Sequence, residues 1–215
     1  MEPHEPRTKL AAVRLFHYHL VTSVVREVEA RYLGKLGFEL VARYGRVGDD
    51  TISYDAGLGW PELNAMDFKL RLSELERGAV NVVVQPGQWR LPRVDHFGLA
   101  LDEETFDEAI ERAIASELRI QSHGGRRTFV STASGFRLEL HPPRDWIDDL
   151  LTHDNELRLA ELELKTDDPT GKAAAVAQIL GLEARDDTLD IGDAKVKFIP
   201  GGPQGRPELH GELFI

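Results

Sequence analysis

The sequence predicts an α+β protein built from a recurring strand–helix–strand–strand–strand unit. Three observations carry this. Short runs of alternating apolar and polar residues recur along the chain. Two segments with apolar residues at helical spacing each follow directly on such a run, and a third, weaker cycle repeats the order. Glycine- and proline-containing turns separate the pieces. With 215 residues, 41% of them hydrophobic, the chain can bury a core without covalent cross-links.

The elements follow in order. Residues 14–22 alternate and read as the first strand. Val25, Val28, Tyr32, Leu33 and Leu36 then fall at helix spacing, predicting a helix over 24–36 that stops at Gly37. Strands are expected at 38–44, 51–55, 67–72 and 79–84, with a long turn over 57–64. The second cycle opens at Pro92 with a strand over 94–101. A helix over 103–116 carries Phe106, Ala109, Ile110 and Ala113 on one face. Strands at 119–122, 127–131 and 136–141 follow, with a turn at 123–125. Residues 142–155 read as a connector. The third cycle has a strand over 159–166 and a helix that Asp168-Pro169 opens with proline at its first position. That helix stops at Gly181 as the first stops at Gly37, each glycine standing where a left-handed cap is needed. Strands at 189–191 and 194–199 precede a turn-rich, then apolar, stretch over 200–215.

Composition narrows the function. There are 26 Lys and Arg against 37 Asp and Glu, a net charge of −11, which repels phosphate backbones and argues against a nucleic-acid partner. The absence of cysteine excludes disulfides, thiolate metal sites and a cysteine nucleophile. Any metal must be held by His, Asp or Glu. Residues 1–14 are charged and lack the apolar stretch of a signal peptide. No run approaches the ~18 apolar residues of a membrane span. A cytoplasmic protein without membrane partners is expected.

Strand alternation selects the candidate site. The first strand has Phe16, Tyr18 and Leu20 on one face and His17 and His19 on the other. The strand opening the second cycle has Phe97, Leu99 and Leu101 against His96, Gly98 and Ala100. The strand closing it has Phe136, Leu138 and Leu140 against Arg137, Glu139 and His141. Apolar faces can pack under helices while the other faces line a common surface. His17, His96 and Glu139 there are costly to bury unless paired or bound to a cation. Two imidazoles and a carboxylate suit an open divalent-metal site. Polar residues on a solvated sheet face would give the same pattern.

Two segments add a resemblance. Residues 17–38, His-Tyr-His-Leu-Val-Thr-Ser followed by the helix and Leu-Gly-Phe, resemble the opening module of the vicinal oxygen chelate superfamily, the glyoxalase, bleomycin-resistance and extradiol dioxygenase group. Residues 95–139, opening Asp-His-Phe-Gly-Leu and closing in the run Gly-Phe-Arg-Leu-Glu-Leu, resemble the next module. The resemblance covers residues 14–143, and 159–199 is similar to a further, weaker module. It implies two paired βαβββ modules forming a cupped mixed sheet with helices outside over 1–143, a connector over 144–157 and an additional half-module over 158–215.

The resemblance also implies metal ligands at His17, His96 and Glu139. The fourth ligand of some relatives would fall at Val83, and valine cannot bind metal. A His, His, Glu set resembles the extradiol dioxygenases and fits Fe(II) first, with Mn(II), Zn(II) or Ni(II) as alternatives. His19 and His141 are the candidates for orienting a ligand or acting as catalytic base. They also read as flanking polar residues on the same face. Phe129 stands where many relatives carry a tyrosine. Arg126 and Arg127 are candidates for holding an anionic substrate, and His123 for a mobile acid or base; each also reads as an ordinary turn residue. In the third module Glu161, Glu163 and Lys165 occupy the face that His17 occupies in the first, which looks solvated. Its open edge would be closed by a second copy in a homodimer, or by 200–215 folding back. The expected function is metal-dependent chemistry on a small substrate with adjacent oxygens, Fe(II)-dependent ring cleavage being the sharpest form. A metal-dependent lyase or isomerase, a non-catalytic small-molecule binder and an interaction module built on the third unit are the alternatives.

Overall fold

A computed structural model describes residues 13–123 and 127–215 of the chain. Gly124 and Gly125 of the expected turn, Arg126 and the amino-terminal stretch 1–12 lie outside the described residues. The first unit runs β1 (Val13–Thr22), α1 (Val25–Lys35), β2 (Glu39–Val47), β3 (Asp50–Tyr54), α2 (Trp60–Ala65), β4 (Lys69–Arg77) and β5 (Val80–Pro86). The second runs β6 (Arg93–Leu101), α3 (Glu103–Ala115), β7 (Arg119–Ser122), β8 (Thr128–Ser131) and β9 (Arg137–His141). A helix α4 (Asp145–Leu151) leads to β10 (Leu159–Lys165), α5 (Pro169–Leu180), β11 (Thr188–Ile191), β12 (Ala194–Ile199) and β13 (Glu208–Phe214).

Helix ends follow local chemistry. Gly37 and Gly181 adopt φ of +69° and +67°, which a side chain would strain. The Asp168 carboxylate accepts from the Gly171 amide at 3.0 Å and caps α5. Two stretches read as turn and connector contain helices. In the first, Gly59 caps α2 and Pro61 sits in its first turn. Buried Glu29 of α1 accepts from Trp60 Nε1 at 2.9 Å, from Arg43 at 3.0 and 2.5 Å and from Ser73 at 2.7 Å, tying α2 down. In the second, Ile147 and Leu150 of α4 bury against Phe16. Alternation places Phe16 with Tyr18 and Leu20, and the structure does not. The β1–β6 ladder skips a residue between Leu15 and His17, so Phe16 is the extra residue of a bulge and turns to the other face.

All described strands join one sheet, in the order β11-β12-β10-β13-β6-β1-β5-β4-β2-β3, with β9, β8 and β7 branching from β6. In each unit the first strand is antiparallel to its partner unit's first strand and parallel to its own last one. The helix-side core runs the length of the sheet, from Tyr18, Leu20 and Phe97 through Leu138 and Leu162 to Phe198. The expected mixed α+β sheet with outer helices is what forms.

Residues 200–215 fold back as β13 against β10, closing the edge that prompted the homodimer expectation. The β10–β13 pair repeats the β1–β6 pair. Both ladders are antiparallel and break twice, at Phe16 and Asp95 in one and at Ala160 and His210 in the other. The halves meet where Val94 donates to Pro207 at 2.8 Å and Leu209 donates to Pro92 at 2.9 Å. A local two-fold thus relates β1 to β10, β5 to β12 and β6 to β13.

Candidate metal centre

The cup of the first two units collects the predicted residues. His17 of β1 lies opposite Gly98 of β6, and His19 opposite His96. Glu139 of β9 lies beside Gly98 on the other side. His17 Nε2 and His96 Nε2 are 3.3 Å apart, and they stand 3.5 and 2.9 Å from Glu139 Oε2. All three side chains are buried. Such spacings suit three atoms each ~2.0–2.2 Å from one ion.

Both imidazoles are held from behind. His17 Nδ1 faces two acceptors, Asn81 Oδ1 at 2.7 Å and the Asn81 carbonyl at 3.2 Å. The Asn81 amide nitrogen donates to Glu74 at 2.9 Å and Glu76 at 2.8 Å, which fixes Oδ1 toward the histidine. Nδ1 therefore carries the hydrogen and Nε2 the free lone pair. His96 Nδ1 donates to Asp95 Oδ2 at 2.8 Å. Arg137 and Arg206 bind the same carboxylate, Arg206 at 2.5 Å. His141 Nε2 lies 3.2 Å from Glu139 Oε1, and Arg127 3.6 Å from it, so the distal oxygen is held as well. Room for the His17 ring comes from Gly98, where a Cβ would come 2.8 Å from His17 Cβ and 2.9 Å from Cδ2.

The electrostatics oppose each other within a few ångströms. Burial lowers His17 to about 4 despite the pull of Glu139. Burial, with His96 and His17 adding to it, lowers His19 to about 3. For His96 burial also works downward, but bonds to Asp95 and Glu139 prevail and raise it. Burial works to raise both carboxyls. Hydrogen bonds from His141 and His96 hold Glu139 well below the usual carboxylate range, and those from His96 and Arg137 do so for Asp95.

The other expected residues are less involved. His19 packs edge-on to His96, ring centres 4.9 Å apart, and the donor atoms of His17, His19 and His96 all lie within 4.8 Å of one another. Val83 lies beside His19 across the β1–β5 ladder and contributes no donor. Phe129 packs edge-on to His96 at 5.0 Å. The His123 ring packs edge-on to the Phe129 ring, centres 5.8 Å apart, and its backbone amide donates to the Arg127 carbonyl at 3.0 Å. Asn81 and Asp95 were not singled out from sequence. Alternation would turn Asp95 away from the face of His96. The second bulge, between His19 and Leu20, makes Asp95 the extra residue and lets it reach its neighbour.

No protein-family model and no curated protein matches the sequence. Solved structures do match the fold. A Mn(II)-bound glyoxalase from Novosphingobium aromaticivorans is 13% identical with a TM-score of 0.53, over 94% of this chain and 64% of its own. The halotolerant catechol dioxygenase BphC is 13% identical with a TM-score of 0.58, over 95% of this chain and 70% of its own. The chain has the vicinal oxygen chelate fold. The 2,3-dioxygenase LapB from Pseudomonas sp. KL28 shares it at 13% identity and a TM-score of 0.54, over 92% of this chain and 74% of its own. The vicinal oxygen chelate fold here spans only about two thirds of the glyoxalase's length. No described helix is long and apolar enough to cross a membrane.

Proposed function

We propose that His17, His96 and Glu139 hold a divalent metal, Fe(II) first and Mn(II), Zn(II) or Ni(II) as alternatives, and that the protein is an enzyme acting on a small substrate with adjacent oxygens. One observation carries this reading. Two imidazoles whose Nδ1 atoms are tied to Asn81 and Asp95 turn their Nε2 atoms toward the same carboxylate oxygen. Orienting partners behind ligand histidines are a mark of metal sites. A bound metal would supply Lewis acidity and a template for two substrate oxygens.

The chain's own groups do the rest. His141 donates to Glu139 Oε1 and fixes the carboxylate, so its role is positioning. Phe16 and Trp146 pack on the His141 ring and help keep water out. Arg127, half exposed beside Glu139, is available to a charged substrate. Fe(II)-dependent extradiol ring cleavage is the sharpest form of the proposal. Phe129 favours the softer form, a lyase or isomerase of glyoxalase type, because its ring puts no hydroxyl beside His96.

Metal analysis of protein purified without chelator or affinity tag tests the centre. Stoichiometric metal in the wild type and none in His96→Ala is the expected result, and equal content would remove the site. Oxygen uptake with catechols after anaerobic Fe(II) loading separates ring cleavage from the softer form.

A further inference from the structure

Among the described residues of the cup, His19 is an imidazole with no hydrogen bond, whereas His141, whose Nδ1 is likewise unpartnered, meets Glu139 through Nε2. The Nε2 of His19 is buried and has no hydrogen-bond partner. Burying such a group without a partner is unfavourable, so its retention there calls for a ligand. Its ring stands 6.4 Å from that of His17 and 4.9 Å from that of His96, and the three rings bring their donor atoms within 4.8 Å. Neighbouring groups do not account for it. His17 is turned by Asn81, His96 by Asp95, and the Glu139 oxygens face His17, His96, His141 and Arg127.

The ladder supplies the reason. His19 is level with Val83 on the parallel strand β5. Within the two-fold that relates β1–β5 to β6–β9, Val83 is the counterpart of Glu139: His17 pairs with Asn81 and His96 with Arg137, and Val83 and Glu139 each lie two residues further on. The counterpart of His19 is Gly98, which has no side chain. Each half of the cup thus offers a first-strand histidine and one more donor. In one half that donor is Glu139 from the last strand; in the other the last strand offers only valine, and an imidazole stands beside it on the first strand.

We propose that His19 is the fourth protein ligand of the centre, taking the place that Val83 leaves empty. This rests on the metal reading given above. The donor set is then three imidazoles and one carboxylate. Holding the metal with four side chains instead of three would leave it one fewer open position for substrate oxygens.

Loading the protein with Co(II) and counting imidazoles by X-ray absorption is the test. Three imidazoles in the wild type and two in His19→Ala support the assignment. The Co(II) dissociation constant of His19→Ala should rise by more than the ~10–100-fold that loss of an outer hydrogen-bond partner brings. Two imidazoles in the wild type, or an unchanged spectrum and affinity in the variant, overturn it while leaving the three-ligand reading intact. No Co(II) bound to the wild type removes both. The wild-type count needs no variant, so it decides even if His19→Ala does not fold.

Discussion

The two halves of the sheet have one backbone and two chemistries. His17, His19, Asn81, Val83, Asp95, His96 and Gly98 on one side of the local two-fold correspond to Glu161, Glu163, Lys195, Lys197, His210, Gly211 and Leu213 on the other, by the registers of the two pairs of ladders. Both sets sit on strands with the same two bulges. In the first half His17 and His96 are buried and meet at Glu139, with buried Asn81 and Asp95 behind them. In the second Glu163 pairs with Lys197 at 3.2 Å, and both stay partly in water. A lysine where the first half has Val83 neutralises the carboxylate locally. A leucine where the first half has Gly98 would fill the space of the His17 ring. The strand positions recur, but β9, which carries Glu139 beside β6, has no counterpart beside β13 among the described strands, so the side chains and this extra strand together separate the candidate centre from an ordinary solvated face.

The largest effect comes from copying one residue across. Gly211 stands where His96 stands, so His96→Gly makes the first half like the second at the central residue of the proposed centre. Metal content measured by mass spectrometry should fall to background, whereas Glu161→Gln and Glu163→Gln should leave it unchanged. Metal loss in the glutamate variants would move the site to the other half. Next comes the orienting carboxylate. Asp95→Asn keeps the shape but removes the charge behind His96, and metal affinity should weaken by ~10–100-fold in a competitive chelator titration. An unchanged affinity would mean that Asp95 serves only Arg137 and Arg206.

Much of this was legible in the chain and some was not. The helix stops at Gly37 and Gly181 and the apolar faces of β6 and β9 followed from local rules, because they depend on spacing alone. His17, His96 and Glu139 were found because three strands shared one pattern, and the resemblance supplied their proximity. The bulges were not readable. A single extra residue reverses the faces around it, and nothing in Leu15-Phe16-His17 announces one. Strict alternation therefore puts Phe16 on the wrong side and turns Asp95 away from His96. Asn81 was hidden for a different reason: its role depends on a partner 64 positions away. The helix α2 was hidden by its turn-forming residues, since buried Glu29 from another element holds it. The two-fold itself was partly visible in the repeated cycle, but β13 carries too short a pattern to be paired with β6 from sequence.

A steric test probes the same comparison with a smaller effect. Gly98→Ala places a Cβ against the His17 ring, and the ring cannot retreat without losing Asn81. The cost should be about 1–3 kcal/mol, read as a drop of about 2–4 °C in melting temperature per kcal/mol. Metal binding should weaken in parallel. The counterpart Leu213 is 54% exposed, and Leu213→Ala should stay within about 0.5 kcal/mol. Equal losses would show that the glycine serves the sheet rather than the histidine.

The smallest effect distinguishes the two helices. Aligned on Gly37 and Gly181, Val28 of α1 corresponds to Lys172 of α5. Val28 packs on the core, and Lys172 is only 2% exposed. Burial lowers the Lys172 ammonium below the ordinary value of 10.5, with Asp167 and Asp168 pulling it back up. Between the lowered value and 10.5 the unfolded chain holds more protons than the folded one, so the contribution of this lysine to stability improves as pH rises through that window. Below the window the folded state carries the charge against the burial that disfavours it, in part offset by Asp167 and Asp168. Lys172→Met keeps the length and removes the charge. The variant should melt higher than the wild type at neutral pH, and the gap should narrow toward pH 10.5. A gap that is constant with pH would assign the difference to packing. A variant less stable at neutral pH would mean that the two aspartates offset the burial in full, and that the second half has turned a core position into a working ion pair.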